Sequence, residues 1–350
     1  MARRALLVGI NDYRGIRDLR GCLNDISNMR NILKTCLGFR NNDIRVLVDA
    51  RATKENILHR LRYMVRLAEP GDFMMFHFSG HGAQIRDRNG DELQDGMDEL
   101  ICPWDFNWDG RFVLDDDFDE IFRKLPEGSL LEVILDCCHS GDGTTSLSRS
   151  AEHSPMGRYI SPPPDIAYRY EGEEPELTLR GFTSANRSGN RSTMNHILWS
   201  ACRSDQESAD AYINGNYNGA FTYYFCKHMR ETGGYITRRN LLERVQNSLR
   251  YNRYPQSPQL ACMNDAAFEN RPFQFPSEDE PERMLFLTTP YMRGDDVKRM
   301  QQGLKNAGFR IVVDGVFGPH THKVIKQFQE KNEILSDGVV GPIVRSVLFD

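Results

Sequence analysis

The sequence predicts an α/β fold with a mostly parallel central sheet and helices on both faces, followed by a small all-α domain. Three observations carry this expectation. Between residues 4 and 270, near-continuous apolar runs alternate with amphipathic stretches, and strands covered on both faces read that way. Strand and helix follow one another in the manner of βαβ units. A Pro- and acid-rich stretch, "RPFQFPSEDEPERM" at 271–284, then gives way to a segment of helical periodicity alone.

Taken in order, the strand candidates are "RALLVGI", "IRVLVDA", "DFMMFHFSG", "LLEVILDC" and "MNHILWSA". Between them, "NDISNMRNILKTCLGF" opens with an Asn/Asp cap, and "TKENILHRLRYMVRLAEPG" runs from a Thr cap to a Pro-Gly stop. "DDDFDEIFRKL", "AFTYYFCKHM" and "TRRNLLERVQNSLR" complete the helices. Residues 142–193 break the alternation: they are rich in Ser, Pro, Gly and Arg and have no sustained period. So long a loop inside a compact domain is usually functional or disordered, and this one directly follows a reactive-looking motif. The expected organisation is a first domain over 1–270, a linker over 271–290 and a helical domain over 291–350. That last domain repeats a phrase, "DGVFGP" at 314–319 and "DGVVGP" at 337–342, each an Asp-Gly turn running into a helix.

Composition excludes several classes. With 350 residues the chain can bury a large core. A net charge of -5 gives no basic excess of the kind that marks a nucleic-acid partner. The apolar runs fall far short of the roughly 20 residues that cross a bilayer, and the start, "MARRALLVGINDY", has too short an apolar region for a secretory signal. Eight cysteines without a framework spacing suit a reducing, cytoplasmic setting. Cys36, Cys226 and Cys262 read as small core hydrophobes, and a monomer is expected.

The stretch "LEVILDCCHSG", residues 131–141, concentrates the chemistry. Side chains alternate on a strand, so Asp136 and Cys138 share one face while Cys137 and His139 share the other. Ligands of an open parallel sheet bind beyond the carboxyl ends of its strands, which places Cys138 in a cleft and Cys137 in a packed layer. A thiol needs a base, because the thiolate is the nucleophile. His81, between Gly80 and Gly82 at the end of "MMFHFSGHG", is that candidate, whereas His77 reads as a core histidine. Asp25, just past the first strand, either joins Asp136 in an anionic pocket for Arg or Lys or caps a helix. A zinc site would need a second Cys/His pair at finger spacing, which is lacking. The acidic stretch between His81 and Cys138 is either a calcium-binding loop or a solvated one. It is not an EF-hand, since counting from Asp87 the sixth residue is Glu92 where glycine is required.

Together, "ALLVGINDY", "GCLNDI", "FHFSGHG", "DGMDELICPWDF", "LDDDF", "DCCHSG" and "SACRSDQESAD" resemble the metacaspases, caspase-like cysteine peptidases of clan CD, over roughly residues 4–265. The layout is close to type I without its Pro-rich prodomain. The resemblance implies a caspase-haemoglobinase fold and cleavage after Arg or Lys by a Cys138–His81 dyad. It also implies an S1 pocket lined by Cys22, Asp25, Ser79 and Asp136, and an oxyanion hole from the N–H groups of Gly82 and Cys138. Calcium ligands would be Asp98, Asp115 and Asp116, with Asp142 near but offset from a fourth family position. Catalysis itself would need no cofactor, calcium serving as activator. The loop 142–193 would be a processing region, with Arg149, Arg158, Arg169 and Arg180 as candidate self-cleavage points. Residues 294–349 resemble the bacterial peptidoglycan-binding helical repeats, which implies a glycan or protein ligand. The expected partners are therefore protein or peptide substrates with Arg or Lys at the cut, and a ligand of the last domain. The rival readings are an inactive caspase-like scaffold acting through that domain, and a cell-wall amidase.

Overall fold

The computed structural model describes residues 2–86, 97–139, 154–167, 195–204, 206–262, 264, 266–272, 284–288 and 291–349. The chain begins with strand β1 (Arg3–Gly9), buried along its last five residues, and helix α1 (Cys22–Thr35). The cap of α1 comes from afar, since Cys22 N–H donates to Asn11 Oδ1 at 2.9 Å. Asn24 and Asp25, expected at its start, lie inside the helix. Strand β2 (Ile44–Val48) leads to α2 (Lys54–Arg66), where Thr53 does cap, accepting from Asn56 N–H. Strand β3 (Phe73–Ser79) is buried throughout.

Strands β4 (Gly82–Arg86), β5 (Met97–Ile101) and β6 (Val113–Leu114) then form a separate antiparallel sheet, and α3 is Asp115–Phe122. In the described part of the acidic stretch, strand and helix thus flank a turn-rich segment over 102–112. Strand β7 (Leu130–Asp136) is wholly buried and still carries Glu132. That carboxylate is matched by Arg238, whose Nε donates to it at 3.0 Å, and by Trp199 Nε1 at 3.1 Å. A buried charge needs such partners.

Inside the long 142–193 segment the described residues hold a short strand, β8 (Met156–Gly157), and a helical turn, α4 (Pro164–Ala167). Next come β9 (Ile197–Ser200), β10 (Ala209–Ile213) and β11 (Asn216–Gly219). The β10–β11 hairpin turns at Asn214 and Gly215, both at positive φ (51° and 88°), the conformation that favours Asn-Gly. Helices α5 (Ala220–Glu231) and α6 (Arg238–Tyr251), strand β12 (Gln259–Ala261) and α7 (Ala266–Glu269) follow.

The six-stranded central sheet has the order β12-β9-β7-β3-β1-β2. Every pairing is parallel except that of the edge strand β12. All five expected strands are in it. Its register aligns Gly9, Ser79 and Asp136 in one row at the carboxyl ends.

The chain divides into two compact units. Unit 1 comprises Met1–Arg30, Asn42–Cys226 and Thr237–Phe275; unit 2 gathers Asn31–Asn41 and Lys227–Ile236 with Pro276–Asp350. Composition alone put the division at 271–290, because it cannot show that two helix ends pack with the last domain. Unit 2 adds a two-stranded ribbon, β13 (Met292–Arg293) and β14 (Val316–Phe317), to helices α8 (Asp295–Asn306), α9 (Pro319–Lys331) and α10 (Pro342–Phe349). The repeated phrase has a structural cause. Buried Gln301 donates to Asp314 Oδ1 at 2.8 Å and accepts from Gly315 N–H at 2.8 Å. Gln329 does the same with Asp337 and Gly338, both at 2.7 Å. Each glutamine ties a helix to its Asp-Gly turn, so the repeat is a repeat of hydrogen bonds.

Candidate active site

The site forms where the row Gly9–Ser79–Asp136 ends. His81 lies two residues beyond Ser79 and Cys138 two beyond Asp136, so the register of β3 with β7 carries both to one end of the sheet. The strands stay together past their ends: Gly80 N–H donates to Asp136 O at 3.3 Å. A Cβ on Gly82 would overlap the Cys138 carbonyl oxygen, so only glycine permits this approach. Cys138 and His81 are both fully buried.

Strand parity sorts the crowded motif. Asp136 and Cys138 both meet Ser208: its hydroxyl donates to Asp136 Oδ1 at 2.7 Å and its N–H donates to Cys138 Sγ. Cys137 faces the opposite way, into the hydrophobic core with Leu131, Val133 and Leu135, its sulfur 3.5 Å from His139 Nε2. Cys138 Sγ also lies 3.7 Å from Cys202 Sγ.

His81 is set by three contacts. Its N–H donates to Tyr13 Oη at 2.8 Å, and the Tyr13 ring lies 5.0 Å from the imidazole. Its Nε2 is 2.9 Å from Arg17 O. A carbonyl only accepts, so Nε2 carries the proton and Nδ1 keeps the lone pair. That Nδ1 is buried and has no hydrogen-bond partner among the described residues. Burial pushes the imidazole down to about 3, against the hydrogen bond to Arg17 O. It is therefore neutral at physiological pH, with Nδ1 the nitrogen left as an acceptor. His77, mid-strand, is buried with Nε2 3.4 Å from Thr222 Oγ1, the hydroxyl that donates to Asp136.

Beside Cys138 is a pocket of three carboxylates, and a guanidinium of the same chain fills it. Arg158 is completely buried. Its Nη2 meets Asp25 Oδ2 at 2.9 Å and Asp210 Oδ1 at 3.0 Å, and its Nη1 meets Asp136 Oδ1 at 3.1 Å. Nη1 also donates to Ser79 Oγ at 3.0 Å and to Asp136 O at 2.9 Å. Cys22 completes the wall, its buried thiol pushed up by burial, while the Arg158 charge and a hydrogen bond with Ser79 pull the other way. Gly219 closes the pocket, since a Cβ there would run into Asp136, Arg158 and Asp25.

The pocket is a strained electrostatic balance. Burial raises the Asp25 carboxyl to about 8, Arg158 opposes this, and repulsion from Asp136 adds to it. Burial opposes the charge on Arg158, but Asp136, Cys22, Asp25 and Asp210 outweigh it and hold the guanidinium protonated. The acids are themselves braced: Gly219 N–H donates to Asp25 Oδ1 at 2.9 Å and Thr222 Oγ1 to Asp136 Oδ2 at 2.6 Å. Gly21 N–H reaches Asp210 Oδ1 at 2.9 Å.

The main chain around Arg158 is held as firmly as its side chain. Arg158 N–H donates to Ser208 O at 3.1 Å, and Arg158 O accepts from Gly82 N–H at 2.9 Å. Residues 156–157 pair antiparallel with β10, Gly157 opposite Ala209 and Met156 opposite Asp210.

Of the expected site residues, Cys22, Asp25, Ser79, His81, Gly82, Asp136 and Cys138 are thus brought together. Asp25 serves the pocket and not a helix cap. Arg158, expected as a candidate self-cleavage point, has its side chain in the pocket. Arg149, Arg169, Arg180 and Asp142 lie outside the described residues. Asp98 is on β5, and Asp115 and Asp116 open α3. The β5–β6 pairing brings these two elements to one edge, yet among the described residues no three His, Cys, Asp or Glu side chains are grouped to hold a metal ion. Asp210, Ser208 and Gly219 escaped the sequence reading. Their one signal was the phrase "SDQESAD" with a polar hairpin after it, too weak in periodicity to register as strands.

A family model described as "Metacaspase, peptidase C14 domain" matches residues 3–145, and one described as "Putative peptidoglycan binding domain" matches 293–348. The chain is 34% identical over 292 residues to "Metacaspase-1" of Meyerozyma guilliermondii, covering 74% of this chain and 69% of that one. It is 33% identical over 298 residues to "Metacaspase-1" of Pyricularia oryzae, covering 77% and 73%. Among solved structures, a Geobacter sulfurreducens protein superposes with a TM-score of 0.54 at 22% identity, over 78% of this chain and 98% of that one. The last likeness is one of fold alone. No helix among the described residues is long and apolar enough to cross a membrane.

Proposed function

The chain belongs to the metacaspase family and is a cysteine peptidase of caspase-like fold, and from that premise we propose that it cleaves after arginine or lysine with Cys138 and His81, its own Arg158–Tyr159 bond first. One observation carries the reading: Arg158 occupies the three-carboxylate pocket while its carbonyl accepts from Gly82 N–H, beside the Cys138 backbone. One guanidinium among three acids is a poor structural ion pair, because desolvating unmatched charge is costly. It makes sense as a specificity site holding a ligand.

In the reaction, neutral His81 takes the Cys138 proton on Nδ1, the lone-pair nitrogen. The sulfur attacks the Arg158 carbonyl carbon, and Gly82 N–H supports the developing oxyanion. The Cys138 N–H is assigned to the same hole on resemblance. The C–N bond then breaks as His81 returns the proton to the departing Tyr159 nitrogen, leaving a thioester. Water activated by the same imidazole hydrolyses the thioester and regenerates the thiol. Ser208 N–H, donating to Cys138 Sγ, fixes the position of the attacking sulfur.

Calcium is proposed as an activator whose ligands would be Asp98, Asp115 and Asp116, hard oxygen donors of the type it prefers. Those side chains do not form a closed cluster, so no step of cleavage is routed through the ion. The C-terminal unit is proposed to bind a glycan, as its family model suggests.

The reading is tested on fluorogenic tripeptides ending in Arg, Lys or Asp, with calcium and with a chelator. Hydrolysis of the Arg and Lys substrates should exceed that of the Asp substrate by roughly 1,000-fold, since a pocket of carboxylates rejects an anion strongly. Comparable rates for the Asp substrate would refute the assignment of the pocket.

A further inference from the structure

The pocket and dyad leave one contact unexplained. Arg17 lies in the loop after β1 with an exposed side chain, yet its Nη2 donates to Gly157 O at 2.5 Å and to Tyr159 O at 2.9 Å. These are the carbonyls on either side of Arg158. The backbone oxygen of the same residue accepts from His81 Nε2. A single residue therefore touches the general base and the main chain both before and after the bond to be cut.

The geometry of the held segment explains why one nitrogen reaches two carbonyls. Two residues of extended strand rise roughly 6.6 Å, which is too far for one nitrogen at these distances. The chain bends at Arg158. Antiparallel pairing with β10 ends at Gly157, and Tyr159 bridges to Gly82 in the parallel sense. The bend turns the flanking carbonyls toward Arg17 as it turns the Arg158 carbonyl toward Gly82. None of these contacts depends on which side chains flank the arginine.

We propose that Arg17 is a substrate clamp that binds the peptide main chain across the scissile bond, gripping the carbonyl before the cleaved residue and the carbonyl after it. The proposal rests on reading Arg158 as the residue in the S1 pocket, and it extends that site to the leaving-group side. Any substrate entering the pocket would be bent in the same way, and the guanidinium, planar and always charged, suits two acceptors at once. Arg17 acts as a binding and positioning residue; it transfers no proton.

The two carbonyls can be separated experimentally. A peptidyl-arginyl coumarylamide has the carbonyl before the cleaved residue but no peptide carbonyl after it, whereas an internally quenched peptide running through the bond has both. Full-length, self-cleaved protein is assayed on each. Arg17→Ala should lose kcat/KM on both, and about 10-fold more on the spanning peptide, as expected for one additional charge-assisted hydrogen bond. Arg17→Lys should recover part of that difference. Because every variant keeps the residue 17 carbonyl against His81, the pH profile on the coumarylamide should stay in place. Equal losses on the two substrates, or no loss on either, would overturn the clamp. Failure of the wild type on both substrates is a different result, because it removes the peptidase reading before any variant is made.

Discussion

Cys138→Ala should reduce hydrolysis of Arg-terminated fluorogenic peptides to background and stop self-cleavage, while Cys137→Ala keeps most of the activity. The two cysteines are adjacent, buried and identical in type, so only their placement separates them. Cys138 Sγ receives the Ser208 N–H and sits behind the Gly82 approach that aligns it with the arginine carbonyl. Cys137 packs against Leu131, Val133 and Leu135 on the far face, where burial holds its thiol well above the usual range, with the neighbouring Cys138 and Asp136 adding to it. A group held protonated in a core is a poor nucleophile. Removing one buried sulfur from that core should cost some stability, of the order of 1 kcal/mol, and little catalysis. Thermal melting of each variant alongside its activity separates the two effects. Equal loss of activity in two folded variants would contradict the assignment by strand parity.

Asp136→Asn should weaken kcat/KM for Arg substrates by more than about 10-fold, since a hydrogen bond to a charged group in a buried site commonly exceeds the ~1.4 kcal/mol that a factor of ten represents. Asparagine keeps the shape and one acceptor, so the Ser208 and Thr222 contacts that brace Asp136 are not all lost. Asp210→Asn is expected to act in the same direction, because Asp210 Oδ1 meets the same guanidinium. In both variants the loss should fall on Arg and Lys substrates together. An unchanged kcat/KM in a variant that melts like the wild type would remove that acid from the pocket.

Much of the fold was legible because parallel strands buried on both faces leave continuous apolar runs, and all five such runs are strands of the central sheet. The two residues proposed as the dyad stood out for a related reason: a strand that runs into a Gly-flanked His or a Cys-His-Ser-Gly announces its own end. What escaped is carried by short, half-polar elements. Strands β10 and β11 supply Asp210 and Gly219, with Ser208 just ahead of β10, but "ADAYI" and "NYNG" are too short and mixed for periodicity to act on. The Asn-Gly between them was a usable hairpin signal. The position of Asn11 as the cap of α1, and the packing of residues 31–41 and 227–236 with the C-terminal unit, depend on contacts distant in sequence. Arg158 is the sharpest case. In sequence it is one arginine among six in a segment without a period, and only the fold brings it against Asp25, Asp136 and Asp210.

The measurement that bears most directly on that arginine is the intact mass of the protein's own products. Purified wild type is incubated with calcium, and the new termini are read by mass spectrometry. Cleavage between Arg158 and Tyr159, absent in Cys138→Ala and in Arg158→Ala, is the predicted result. A wild type that cleaves peptides in trans while its own Arg158–Tyr159 bond stays whole would contradict the account, leaving Arg158 a fixed part of the fold.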